Sequence, residues 1–110
     1  MLAIISPAKT LDFKSPLATE KFTLPDFAKE SQELIKTLRS YDPAAISNLM
    51  GISDKLAALN HERYRQWDVG ASADKARPAI LAFKGDVYVG LDAPTMQARD
   101  FTWAQKHLRV

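Results

Sequence analysis

Cysteine is absent from the 110 residues of this chain. Disulfides, thiolate catalysis and cysteine-ligated metals are therefore excluded. Histidine occurs only as His61 and His107. The two lie far apart in sequence, and no carboxylate spacing completes a ligand set around either. No metal site and no cofactor are expected, and both histidines read as exposed or capping residues on helices. Hydrophobic runs are short, and none approaches the roughly 20 residues of a membrane span. The opening Leu2–Ile5 run is too short for the apolar core of a signal peptide, and no basic stretch precedes it. A cytoplasmic protein with no membrane partner is the expectation. A dominant charge sign is missing too: 15 basic residues face 13 acidic ones. Any nucleic-acid surface must then be local rather than global. Glycine is scarce, at four residues, and no Gly-Lys-Thr triplet exists, so a phosphate-cradling P-loop is excluded.

What is present reads as an ordinary globular chain, 46% hydrophobic and 25% charged. Leu2-Ala3-Ile4-Ile5 predicts a short buried strand, with Ile4 and Ile5 in the core. Residues 6–23 read as a long ordered loop, a type that is usually functional or disordered. A helix is predicted from Pro25 to about Ser40, with Phe27, Ser31, Leu34, Ile35 and Leu38 on one face. Asp42-Pro43 starts a second helix with Asp42 as N-cap, striped by Ile46, Leu49 and Met50 and ended by Gly51. Ser53 caps a third helix carrying Leu56 and Leu59, and Asn60 a further turn through Arg63, Tyr64 and Trp67. Ser72 is expected to cap another helix, kinked at Pro78 or starting near it. Val87-Tyr88-Val89 predicts a strand. Thr95 or Asp100 caps a last helix that is still in phase when the sequence reaches Val110, which suggests a fragment. Trp67 and Trp103 read as core or core-edge packing.

Two stretches carry candidate cleft chemistry. Ser6, Lys9 and Thr10, followed by Asp12, place hydroxyls, an ammonium and a carboxylate in one loop, an arrangement suited to an anion. The plain alternative is local satisfaction of backbone groups, with Lys9 solvated. Ser6 precedes Pro7 and is held extended. The chain should turn outward there and point Lys9 and Thr10 toward a cleft that also receives Lys84 or Asp86. Lys84-Gly85-Asp86 is turn chemistry in which a lysine and a carboxylate could hold an anion or exchange a proton; an exposed ion pair is the alternative. Lys9, Thr10, Lys84 and Asp86 are thus the candidate catalytic residues.

Four stretches, at residues 4–13, 53–60, 79–91 and 101–109, read in order, together resemble the YaaA family of bacterial peroxide-stress resistance proteins. They include "ISPAKTLDF", "SDKLAALN", "AILAFKGDVYVGL" and "FTWAQKHLR". Family members continue well past this length, so the resemblance implies that residues 1–110 are the N-terminal portion of a larger single fold. It also implies a cytoplasmic protein induced by hydrogen peroxide that lowers free iron, limits oxidative damage to DNA and binds DNA through a helix-hairpin-helix on an unusual α/β fold.

The residues give their own support for that element. Residues 43–60 read as two short helices around Gly51-Ile52, similar to a helix-hairpin-helix. A tight turn of that kind exposes N–H groups at the start of the second helix, where the helix dipole favours a phosphate. Gly51, Ile52, Ser53, Lys55 and Arg63 are the expected phosphate contacts, to double-stranded or structured DNA without sequence preference. Ser53 replaces the second glycine of the pattern, and Asp54 would repel a phosphate. An ordinary helical hairpin packed for stability is the alternative.

The expected class is α/β, with α+β as the alternative: mainly helical, with short strands. DNA binding in the peroxide response is the leading expectation. Whether the protein is an enzyme is left open, the rival being one that acts on a phosphorylated or nucleotide-like molecule in a lysine-lined cleft. Self-association through uncovered apolar surface is also expected.

Overall fold

A computed structural model describes residues 1–70 and 76–110. Its contacts gather into two compact units, Met1–Thr23 with Ala73–Val110, and Leu24–Ser72, each taken here over its described residues. The helix predicted from Ser72 falls partly outside those residues.

The Leu24–Ser72 unit is helical. Helix α1 spans Ala28–Leu38, three residues later than Pro25 suggested. Phe27, at the N-cap, makes no side-chain bond there. Only Ile35 is buried, with Ser31 and Leu38 half-buried, while Phe27 and Leu34 are exposed. The expected five-residue face is therefore narrower, and its buried edge is the 31-35-38 row. Helix α2, Pro43–Met50, starts as the sequence requires: Pro43 opens it and the Asp42 carboxylate accepts the Ala45 N–H at 2.8 Å. Gly51 ends it in the left-handed region, at φ 60°. The Ser47 carbonyl accepts from Gly51 and, at 3.2 Å, from Ile52, and the Ser47 hydroxyl donates to the Ile52 carbonyl at 2.7 Å.

Helix α3 runs unbroken over Asp54–Gln66. Ser53 is its N-cap, as predicted, but Asn60 does not start a new turn. Its side-chain amide donates to the Leu56 carbonyl within the helix, at 2.8 Å. Ile46 and Ala57 are both fully buried where α2 packs on α3, the alanine allowing close approach of the isoleucine. Tyr64 adds a hydroxyl bond to the Met50 sulfur at 3.4 Å.

The other unit is built from short pieces. Strand β1 (Ala3–Ile4) pairs in parallel with β4 (Leu108–Arg109), and β2 (Thr10–Leu11) pairs antiparallel with β3 (Phe83–Lys84). Between them come α4 (Ala79–Ala82), which begins directly after Pro78, α5 (Asp86–Leu91), a 3-10 turn at Ala93–Thr95, and α6 (Ala98–His107). Five predictions are corrected here. Val87, Tyr88 and Val89 lie in helix α5, not in a strand. Tyr88 is buried and its hydroxyl donates to the Ser6 carbonyl at 2.7 Å, so a tertiary anchor outweighs β-propensity. Helix α6 is capped by Gln97, and Asp100 sits three residues on, accepting the Gln97 N–H at 2.8 Å in a capping box. That helix stops at His107 because Leu108–Arg109 is drawn into pairing with β1. Ile4 is 77% exposed and Ile5 half-buried, because among the described residues β1 pairs with one strand only, leaving its face open. Trp103 is likewise exposed, its ring 4.5 Å from that of His107.

The molecule is thus mixed helix and short strand, with a long connection between β2 and α1. Among the described residues, no helix is long and apolar enough to cross a membrane. The left-handed Gly51 gives a direct test. A Cβ there would meet nothing within 4 Å, so Gly51→Ala carries only the backbone cost of about 1–2 kcal/mol. Urea unfolding of the whole chain should show that loss, with an unchanged m-value.

Candidate functional site

In the Met1–Thr23 and Ala73–Val110 unit the candidate site centres on Asp12. Its carboxylate accepts from the Lys14 and Ser15 N–H groups at 2.9 and 3.0 Å and from the Ser15 hydroxyl. Two cations face it: Arg77 Nη1 at 3.6 Å and Lys84 Nζ at 3.9 Å. The Ser15 hydroxyl and amide, then the Lys14 amide and the Lys84 charge, hold the Asp12 carboxyl far below the usual carboxylate range. The surrounding donors and cations therefore favour its ionised form.

Arg77 is the residue that sequence reading missed. Its side chain is only 6% exposed. Nη1 donates to the Asp12 carbonyl at 2.8 Å and Nη2 to the Ser15 carbonyl at 2.7 Å, while Nε is buried with no partner among the described residues. The guanidinium thus clamps both ends of the turn at residues 12–15. Its one sequence signal is the following Pro78, which holds residue 77 extended and out of the helix.

The same unit shows where the loop candidates lie. Thr10 is the cross-strand partner of Lys84. Ser6 is exposed and its carbonyl is taken by Tyr88, whose own pKa is pushed up by burial. Ala8 lies against Gly85, where an added Cβ would come within 3.2 Å of the Ala8 side chain. Lys9 and Asp86 are exposed, and neither forms an ion pair among the described residues. The structure therefore brings together Thr10, Asp12, Lys84 and Arg77, with the Lys84 ammonium on the open side.

In the Leu24–Ser72 unit the candidate phosphate contacts surround the start of α3. Gly51, Ser53 and Lys55 are exposed, while Ile52 and Arg63 are half-buried. The Ser53 hydroxyl accepts the Leu56 N–H at 3.4 Å and its carbonyl the Ala57 N–H at 2.8 Å. The Asp54 and Lys55 N–H groups have no protein acceptor among the described residues, the usual condition of a helix start. The Asp54 carboxylate lies 3.4 Å from the Ser47 hydroxyl, beside those amides. Arg63 stands about 12 Å further along the helix axis than Lys55, at 1.5 Å per residue.

The family model of the peroxide stress protein YaaA matches residues 1–110. The chain belongs to the YaaA family. Of the four stretches that carry the YaaA resemblance, three meet in one unit. Residues 4–13 supply the end of β1 and all of β2, 79–91 supply α4, β3 and α5, and 101–109 supply most of α6 and all of β4. Both strand pairs and the Tyr88–Ser6 bond join them. The fourth, 53–60, is the N-terminal half of α3 with its cap.

Asp12 gives a pH prediction. A carboxylate whose folded pKa is depressed contributes stability that is complete above its unfolded value, near 3.9, and is lost as pH falls toward the folded value. The stability gap between the native chain and Asp12→Asn should stay constant from pH 7 down to about pH 5. It should shrink below pH 4, measured by denaturant titration at each pH. A gap that varied between pH 5 and 7 would assign the effect to another group.

Proposed function

We propose that this YaaA-family protein serves the peroxide stress response by binding DNA along its phosphate backbone, and so helps to limit iron-driven DNA damage. The observation that carries the reading is the α2–α3 turn. A left-handed Gly51 leads into a 13-residue helix whose first two amides have no acceptor among the described residues and whose second residue is Lys55. Backbone N–H groups, the helix dipole and one ammonium together suit a phosphate oxygen. None of them reads a base edge, so binding indifferent to sequence follows. Ser53 in place of a second glycine is compatible with the turn, since its φ is −64° and its hydroxyl caps the helix.

Asp54 opposes the phosphate and sets the strength of the site. Its carboxylate stabilises the helix start but competes with an incoming anion. The two neighbours give opposite expectations. Lys55→Glu should weaken binding to all duplexes alike and lower the slope of log K against log salt by about one. Asp54→Asn should strengthen binding several-fold at low salt. Fluorescence anisotropy with two duplexes of unrelated sequence measures both. Unchanged affinity in both variants would remove the turn from the account.

A second reading has one observation in its favour. Thr10 and Lys84 are held as cross-strand partners beside a fixed anion, Asp12, which is a rigid frame for a small phosphorylated or nucleotide-like molecule. As an enzyme, the protein would use Lys9, Thr10, Lys84 and Asp86. Lys9→Ala would then abolish a saturable, ligand-selective thermal shift while costing under about 0.5 kcal/mol in stability.

A further inference from the structure

The Leu24–Ser72 unit carries a depression of about 370 Å³ lined by Arg39, His61 and Arg65. No carboxylate lines it. His61 and Arg65 are four residues apart on α3 and share one face. Arg39 arrives from just beyond α1 and is fixed by the end of α3. Its Nε donates to the Tyr64 carbonyl at 2.8 Å, and its Nη2 to the Trp67 carbonyl at 2.6 Å and the Arg65 carbonyl at 3.3 Å. Those are acceptors that a helix end leaves unsatisfied, and they carry its partial negative charge. The guanidinium cancels that charge and is immobilised in doing so. Its third nitrogen, Nη1, makes no hydrogen bond among the described residues. Glu62, which follows His61 on α3, has its carboxylate engaged by the Gln66 amide at 2.7 Å. A helix end that would ordinarily repel anions is thereby converted into a cationic one.

We propose that this depression is an oxyanion site that takes a phosphate group, with Arg65 and His61 as its adjustable donors and Arg39 Nη1 as its fixed one. A guanidinium held by three carbonyls loses little further freedom when it meets a phosphate, and charged N–H donors bind phosphate oxygens more strongly than neutral ones. In its biological role the phosphate is one of a DNA backbone, and that part rests on the DNA-binding reading above. Lys55 and Arg65 lie about 15 Å apart along α3, from its 1.5 Å rise. Each strand of duplex DNA advances about 3.4 Å per phosphate along its axis. The two ends of α3 are therefore far enough apart to address two different phosphates of a backbone, one at the α2–α3 turn and one at this depression.

The test uses the whole chain and two ligands. Inorganic phosphate is titrated while the imidazole nitrogens of His61 are followed by long-range proton–nitrogen NMR. The His61 resonances should shift and saturate. Arg65→Gln should weaken that response at least about tenfold, Arg65→Lys should restore part of it, and Lys55→Glu should leave it unchanged. The Arg65 contact to Arg39 is made by its backbone carbonyl, so removing the side chain leaves the cap in place. Resonances that do not move, or that move equally in Arg65→Gln, overturn the site. Duplex DNA is then titrated against salt, where Arg65→Gln should lower the slope by about one, independently of Lys55→Glu. An unchanged slope with the phosphate response intact overturns the assignment to a DNA backbone. A slope that responds to Arg65 but not to Lys55 supports this site and counts against the turn.

Discussion

The buried guanidinium of Arg77 is the constraint on which the loop after β2 depends. Residues 12–27 form no regular element, so their backbone groups must find partners outside any ladder. Arg77 meets that need at two carbonyls and neutralises Asp12 from within the fold. Asp12 in turn gathers the amides of Lys14 and Ser15. A buried arginine costs desolvation, and it is retained only where its donors are used and an anion is close. With the turn fixed, β2 can pair with β3, and Thr10 is set opposite Lys84.

The helical unit solves a similar problem at the end of a helix. Arg39 lies just past α1, yet the carbonyls it satisfies belong to α3. One long side chain therefore does two jobs: it ties α1 to α3, and it sets a positive charge against the carbonyl end of α3. The N-terminal end of α3 is electropositive by its own geometry, qualified by Asp54. Under the proposed reading, anion sites at both ends of one helix suit a polyanion better than a single small ligand.

How much of this was legible depended on whether the determining contact was local. The Asp42-Pro43 start, the Gly51 stop and the Ser53 cap are decided within three or four residues, and each stands where the sequence put it. Residues 87–89 could be read only by propensity, and a single hydroxyl bond from Tyr88 to residue 6 reversed that reading. The loop candidates were legible as a group but not as an arrangement. The sequence showed hydroxyls and charges near Asp12 but carried no sign that residue 77 would close over them.

Residue type and spacing by themselves determined the chemistry excluded by missing cysteine, the capped helices of the α2–α3 pair, and membership of a peroxide-stress family through four short stretches. Tertiary structure alone decided that β1 pairs with the last residues of the chain, that Ile4 lies open, and that Arg39 and Arg77 are structural cations. The physical reason is range. Caps and turns are set by bonds between neighbours three to five residues apart, whereas a guanidinium reaching a carbonyl 25 or 65 residues away leaves no periodic trace in the sequence.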